Sequence, residues 1–393
     1  MKLGIAALVV GYVLSQFYRA FLAVLSPNLQ ADLGATPAQL ADASGLWFLI
    51  FALAQIPVGI ALDRIGPRRT VAVLLAAGGA GGTAVFASAT SPGAISLAMA
   101  LIGIGCAPVL MSSFYIFART YPPAVFGTLA GILIGVGNLG NLGAALPLSL
   151  AVEAFGWRGT VWALSALTLA VAAVLWRVVQ DPPPAPAPEG PGGLADILRS
   201  PAMWAVFAML LVNYAPSGAI RGLWVGPYGA QVLGLDAAGI GALTLVMGLA
   251  MVAGNFAYGP MDRLFGTRKG VVLAGNLIGA ACLGWLWANP APGYGMALAL
   301  IAAVGFFGMS FPLLMAHGRA FFPPHLVGRG VTILNLFGIG GVGLFQMLSG
   351  RVYTAAQDPA APPEAAFATL FGFFALVLLA GCIAYLFSRD RTD

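Results

Sequence analysis

Two arginines stand inside long apolar runs: Arg19, in Ser15-Gln16-Phe17-Tyr18-Arg19, and Arg221, in Tyr214-Ala-Pro-Ser-Gly-Ala-Ile-Arg221. An arginine deep in a bilayer costs at least about 2.5 kcal/mol unless it snorkels or is paired, so it tends to face a cavity and to act on something there. The planar guanidinium grips a carboxylate or phosphate through two parallel hydrogen bonds, which the lysine ammonium cannot do. The 13 acidic residues all fall in loops or near the ends of apolar runs, Asp42 coming closest. The chemistry these arginines offer is therefore binding of an anion from outside the chain. The competing reading is interfacial: Arg19 lies about eight residues from the end of its run, about 10 Å below the surface at the helical rise, and could snorkel.

The stretches that position the arginines are built for lipid. Of 393 residues 60% are hydrophobic and only 8% charged, against about 25% charged in a soluble domain, and the mean hydropathy is +0.92. The apolar runs are continuous rather than alternating, so they read as helices of about 20 residues and not as barrel strands. Twelve are counted, at 4–27, 38–61, 70–90, 94–119, 124–152, 159–179, 201–224, 236–260, 270–289, 293–320, 325–351 and 366–388. The expected fold is an all-α polytopic membrane protein with 12 transmembrane helices. The first run is too long for a signal peptide and lacks a small-residue cleavage site, so it reads as a mature helix.

With the N-terminus inside, almost every lysine and arginine falls on the cytoplasmic side and only Arg158 and Arg351 on the other. That asymmetry predicts both termini in the cytoplasm of a bacterial inner membrane. The net charge of +5 is thus a topological signal, and no nucleic-acid partner is expected. Cys106, Cys282 and Cys382 have no metal-ligand spacing, and His317 and His325 belong to no His/Cys/carboxylate cluster. No cofactor, no metal and no enzyme constellation are expected.

After the sixth run comes Asp181-Pro-Pro-Pro-Ala-Pro-Ala-Pro-Glu189-Gly-Pro-Gly-Gly, too rich in helix breakers to span. It divides the chain into a six-helix bundle at 1–180, a cytoplasmic linker at 181–200 and a second six-helix bundle at 201–393. The halves repeat. Gly59, Asp63-Arg64, Gly66 and Arg68-Arg69 recur as Gly259, Asp262-Arg263, Gly266 and Arg268-Lys269; Pro122-Pro123 after Arg119 recurs as Pro323-Pro324 after Arg319. The offset is 199 for the aspartates and 201 for the prolines, and Arg19 maps to Arg221 at 202. A shared offset marks an internal duplication, so the arginines are expected to be symmetry-related, one from each half, facing each other across a central cavity.

Gly59-Ile-Ala-Leu-Asp63-Arg64-Ile-Gly66-Pro-Arg68-Arg69, between the second and third runs, resembles the signature loop of the major facilitator superfamily, with a weaker echo at 259–269. The resemblance covers essentially the whole chain. It implies two pseudo-symmetric bundles that rock about a site near the bilayer midplane. It also implies that Gly59, Asp63, Arg64, Arg68 and Arg69, with Asp262 and Arg263, take part in contacts that hold one conformational state. A bland alternative is that these charges only anchor loops.

Narrower likenesses concern the substrate. Tyr18-Arg19-Ala-Phe-Leu-Ala-Val-Leu-Ser-Pro27 and Arg221-Gly-Leu-Trp224-Val-Gly-Pro-Tyr228 resemble the first- and seventh-helix segments of the organophosphate:phosphate antiporters. In that family an arginine from each half grips a phosphoryl group and the tenth span carries a histidine, here His317. Gly137-Asn138-Leu-Gly140-Asn141-Leu-Gly143 resembles part of the nitrate/nitrite porter signature, but those porters carry arginines on the second and eighth spans, which this chain lacks. Small residues there and at Gly338, Gly340-Gly341 and Gly343 suit close helix approach.

Tyr18, Tyr115, Asn138, Tyr214, Trp224, His317 and Asn335 join the arginines as candidate substrate contacts, although such residues more often hydrogen-bond between helices. The expected function is secondary active transport of a small organic anion, a carboxylate or phosphate ester, by rocker-switch alternating access, in a monomer surrounded by lipid. Proton symport through His317, exchange against a counter-anion and facilitated diffusion all fit the sequence. The alternatives are a multidrug or amphiphile exporter, favoured by the many Phe, Met and Trp residues in the spans, and a nitrate-like porter.

Overall fold

The computed structural model describes residues 2–182, 201–322 and 327–391. The greater part of the expected linker, together with Pro323, Pro324 and His325, lies outside the described residues. The chain divides into two compact units, Met1–Ala187 and Pro188–Asp393, and every element among the described residues is helical.

The first unit opens with α1 (Lys2–Phe17) and α2 (Phe21–Leu33), which together form one span bent by 45°. The expected first run ends at residue 27, whereas the helix continues through Pro27 to Leu33. The helix tolerates it: Pro27 removes the N–H that would reach the Ala23 carbonyl, and the Ser26 hydroxyl donates to that carbonyl instead at 2.9 Å. Next, α3 (Pro37–Arg64) starts on a capping box in which Thr36 and Gln39 each accept the other's backbone N–H. The third span is α4 (Pro67–Leu74), a π-helical stretch at Leu75–Ala80 and α5 (Gly81–Ala87). The fourth is α6 (Pro92–Thr120), begun by Ser91 as N-cap.

The fifth and sixth spans run α7 (Pro123–Gly143) and α8 (Leu146–Val178). Here the structure divides the chain differently from the apolar runs. The fifth run, 124–152, breaks at Ala144–Ala145 and its end continues as the start of α8. Within α8 the backbone leaves helical geometry at Gly156, φ 71° and ψ 156°, a conformation glycine reaches without a Cβ penalty, and the sixth span follows.

The second unit repeats this plan. Its seventh span is α9 (Pro201–Asn213), α10 (Ala215–Ala219), a π-helical turn at Ile220–Trp224 and α11 (Val225–Gln231). The eighth and ninth are α12 (Ala237–Phe265), capped by Asp236, and α13 (Arg268–Ala288), capped by Thr267. The tenth joins α14 (Tyr294–Phe307) to α15 (Phe311–Arg319) through a 3-10 turn, and α16 (Val327–Ala355) and α17 (Glu364–Tyr385) complete it. Ten helical segments among the described residues are long and apolar enough to cross a membrane; the bent α1–α2 pair makes eleven, and Leu129–Gly143 is a shorter apolar helix.

Glycine lets the first span meet the fifth, and the seventh meet the eleventh. A Cβ on Gly140 would stand 1.9 Å from the Val13 carbonyl oxygen, and one on Gly341 would stand 1.9 Å from that of Leu211. These glycines are 201 residues apart, so the duplication is visible in packing as well as in loops. Spans three and four also touch backbone to backbone, at Gly78, Gly79 and Gly105.

Candidate functional site

Arg19 occupies the bend between α1 and α2, where its N–H bonds the Gln16 carbonyl at 3.3 Å. Its guanidinium carbon lies 5.5 Å from the centroid of the Trp47 ring and 5.0 Å from that of Phe51. The two rings stack on each other, 5.1 Å apart and 13° from parallel, because i and i+4 share a helix face. Phe51 is fourteen residues after Pro37 and thirteen before Arg64, about 20 Å from either end of α3 at the helical rise. The charge therefore sits at mid-length of a spanning helix, far from where snorkelling would take it. The ring faces offset part of its desolvation. Its Nε is buried without a hydrogen-bond partner, and no carboxylate among the described residues forms an ion pair with it.

Tyr18 turns away into the first unit's core. It is fully buried, its hydroxyl 2.7 Å from Thr168 Oγ1, and it accepts from Thr83 Oγ1 at 3.2 Å. It pins the bend to spans three and six, while its neighbour faces Trp47. Asn138 is half-buried and accepts from Asn141 at 3.2 Å. Tyr115 stands at the loop end of α6, where its hydroxyl donates to Asp63 at 3.0 Å. The structure thus groups Tyr115 with the signature loop and not with Arg19.

In the second unit Arg221 lies in the π-helical turn and is 2% exposed. Such turns widen a helix locally and often accompany functional sites. Trp224, in the same turn, is wholly buried; its indole N–H donates to Ser349 Oγ at 2.8 Å and its ring packs on Tyr353 and Phe367. Tyr214 is buried at the α9–α10 break against Phe311, and Asn335 is half-buried. His317 is fully buried with both ring nitrogens engaged, Nδ1 by the Tyr385 hydroxyl and Nε2 by the Arg389 carbonyl at 2.9 Å. Because a carbonyl only accepts, Nε2 carries the proton. These bonds bind His317 to the end of the twelfth span and do not group it with Arg221.

The same unit holds a buried polar cluster around Asn213. Asn213 Nδ2 donates to Asn276 Oδ1 at 2.8 Å and to Ser310 Oγ at 2.7 Å, and Ser217 donates to the Val304 carbonyl at 2.9 Å. The break in the seventh span is thereby fastened to the break in the tenth.

At the loop ends Asp63, Arg68 and Asp262 of the signature charges find partners. Asp63 meets Arg119 at 3.5 Å, and Arg119 lies over the Tyr115 ring at 3.7 Å. Arg68 donates its backbone N–H to Asp181 at 2.7 Å, with its side chain 3.8 Å from the same carboxylate. Arg64, Arg69 and Arg263 are exposed. Gly59 leaves ordinary space, Met111 Cε standing 3.7 Å from where its Cβ would be. In the second copy Asp262 pairs with Arg268 at 3.1 Å. Asp390 accepts from the Lys269 N–H at 3.0 Å and from the Thr267 hydroxyl. Lys269 Nζ donates to the Leu386 and Ser388 carbonyls at 2.6 and 2.8 Å, and Arg391 donates to the Ala320 carbonyl at 3.2 Å. Partial burial pushes the Asp390 carboxyl up, but hydrogen bonds from Thr267 and Lys269 and the nearby His317 outweigh that and hold it below the usual carboxylate range.

Asp181 and Asp390 each follow the last span of their half and cap its third. Their separation is 209, not about 200, so the repeat offset does not reveal them. Trp47 and Phe51 carried only a weak signal, two aromatics four apart in an apolar run.

The model of the Major Facilitator Superfamily matches residues 8–236 and 222–393. The chain is 25% identical over 190 residues to a quinolone resistance transporter of Acinetobacter baumannii, an alignment covering 44% of this chain and 41% of that relative's length. Solved structures agree on the fold. A bacterial homologue of the human lysosomal transporter Spinster, inward-facing and occupied, shares 17% identity with a TM-score of 0.74 over 97% of this chain and 94% of its own. The inward-open xylose transporter XylE of E. coli shares 15% with a TM-score of 0.75 over 99% and 96%. The nucleoside transporter NupG shares 14% with a TM-score of 0.76 over 98% and 99%. With the family model matched along both units, the chain belongs to the Major Facilitator Superfamily of membrane transporters.

Proposed function

We propose that this transporter carries a small organic anion, a carboxylate or phosphate ester, across a bacterial inner membrane with both termini in the cytoplasm. It does so as a monomer, by rocker-switch alternating access. Arg19 and Arg221 are its anion-binding cations, one per half. The observation that carries the reading is Arg19: a guanidinium at mid-length of a spanning helix, held on two aromatic faces, with a buried donor that has no acceptor among the described residues. A cation kept there without a carboxylate is costly unless a ligand compensates it. The resemblance around Arg19 and Arg221 to the organophosphate:phosphate antiporters points the same way. Because both nitrogens of His317 are spent inside the second unit, exchange against a counter-anion suits the site better than proton symport through that residue.

The amphiphile-exporter reading is favoured by one observation, the partial likeness to a quinolone resistance transporter. A thermal-shift panel of benzoate, succinate, glycerol 3-phosphate, nitrate and hydrophobic cations separates the readings, since a ligand that binds the folded state raises its apparent stability. Organic anions should raise the melting temperature. Stabilisation by cations alone would overturn the proposal.

A further inference from the structure

The first unit holds a second polar group near the Arg19 head that lacks an acceptor. The Trp47 indole Nε1 is buried without a hydrogen-bond partner, and the side chain is 0% exposed. Burying an N–H donor without an acceptor is disfavoured, and such groups are rare enough that each calls for an explanation. Trp224 in the second unit shows the ordinary outcome, its N–H bonded to Ser349. Trp47 differs in that the Arg19 guanidinium lies 5.5 Å from its ring centroid, and Arg19 Nε is itself buried without an acceptor. Two adjoining side chains thus each carry a buried donor with no acceptor among the described residues, near mid-length of α3.

We propose that the Trp47 indole N–H is a second donor to the anion that Arg19 binds, so that Trp47 is a substrate-contacting, specificity-determining residue. This rests on the anion reading of Arg19. Indole offers one N–H and no charge, so it adds direction where the guanidinium adds charge. An oxyanion can accept from both donors at once. A halide can take charge from Arg19 but lacks the spread of oxygens that reaches two separated donors, so Trp47 favours oxyanions, carboxylates and phosphate esters among them, over halides.

The variant Trp47→Phe keeps a ring for Arg19 to lie on and removes the donor, along with part of the ring at a buried position. Binding of the strongest ligand among benzoate, succinate and glycerol 3-phosphate should weaken roughly tenfold to a hundredfold, the range for a lost hydrogen bond to a charged group. Melting of the ligand-free protein should fall only modestly, because the cavity left by the smaller ring is offset in part by the loss of an unsatisfied donor. In parallel, the indole 15N–1H resonance of Trp47 in the unaltered protein, assigned through Trp47→Tyr or Trp47→Phe, should move downfield on titration with that anion. If anions bind and Arg19→Lys abolishes binding, while Trp47→Phe leaves affinity within twofold and the resonance does not move, the Trp47 assignment is overturned and the anion reading stands. If no anion binds the unaltered protein, both fall.

Discussion

Asp181 accepts the backbone N–H of Arg68 at 2.7 Å, so the residue just past the sixth span closes the start of the third. Asp390 does the same for Lys269 at 3.0 Å, past the twelfth span and at the start of the ninth. An acid at a helix N-terminus satisfies an orphan donor and complements the helix dipole. Asp181→Ala and Asp390→Ala should each lower stability by about 1 kcal/mol, read as a lower melting temperature in detergent. Unchanged melting in both would show that these contacts are incidental.

Acid should loosen the second of these contacts. Asp390 is held below the usual carboxylate range, so its contribution is fully present above the ordinary carboxylate value and is lost as pH falls through the lowered one. Hydrogen-exchange protection at the start of α13 should fall below about pH 4, the ordinary carboxylate value, and Asp390→Asn should flatten that dependence. Equal acid sensitivity in the variant would assign the effect to another group.

Gly140 and Gly341 set the approach of paired spans. With a Cβ only 1.9 Å from a carbonyl oxygen, alanine at either position must push two helices apart, at a cost of about 1–3 kcal/mol or more. Gly135 has open space where a Cβ would go, and Gly135→Ala should be neutral. Thermal melting of the three variants checks the contrast; equal effects would show that the helices adjust freely.

The spans and their duplication were legible because bilayer spanning imposes long apolar runs and because charges between them cluster in loops. Close packing at the fifth and eleventh spans was legible too, since glycine at helical spacing has few other uses in lipid. What the chain order concealed was direction and partnership. Tyr18 and Arg19 are adjacent yet serve opposite sides of one bend, and no proline or glycine marks that bend. Tyr115 read as a cavity residue, but an antecedent four-residue spacing to Arg119 places both on Asp63. Asp181 and Trp47 act through contacts 113 and 28 positions away, which a periodicity cannot show.

His317 should prove structural. Replacing it by phenylalanine removes the bonds to Tyr385 and Arg389, and the segment 386–391 should exchange hydrogen faster while the order of preference among anions is kept. A variant that folds with the segment protected but shifts the pH dependence of transport would restore a coupling role.

The most direct measurement is counterflow of a radiolabelled organic anion in proteoliposomes holding the unaltered protein, Arg19→Lys or Arg221→Lys. Lysine keeps the charge but loses the planar fork. Exchange should be robust with the unaltered protein and at least about tenfold slower with each variant, equivalent to about 1.4 kcal/mol. Exchange at the unaltered rate in both variants would contradict the assignment of the arginines as the anion site.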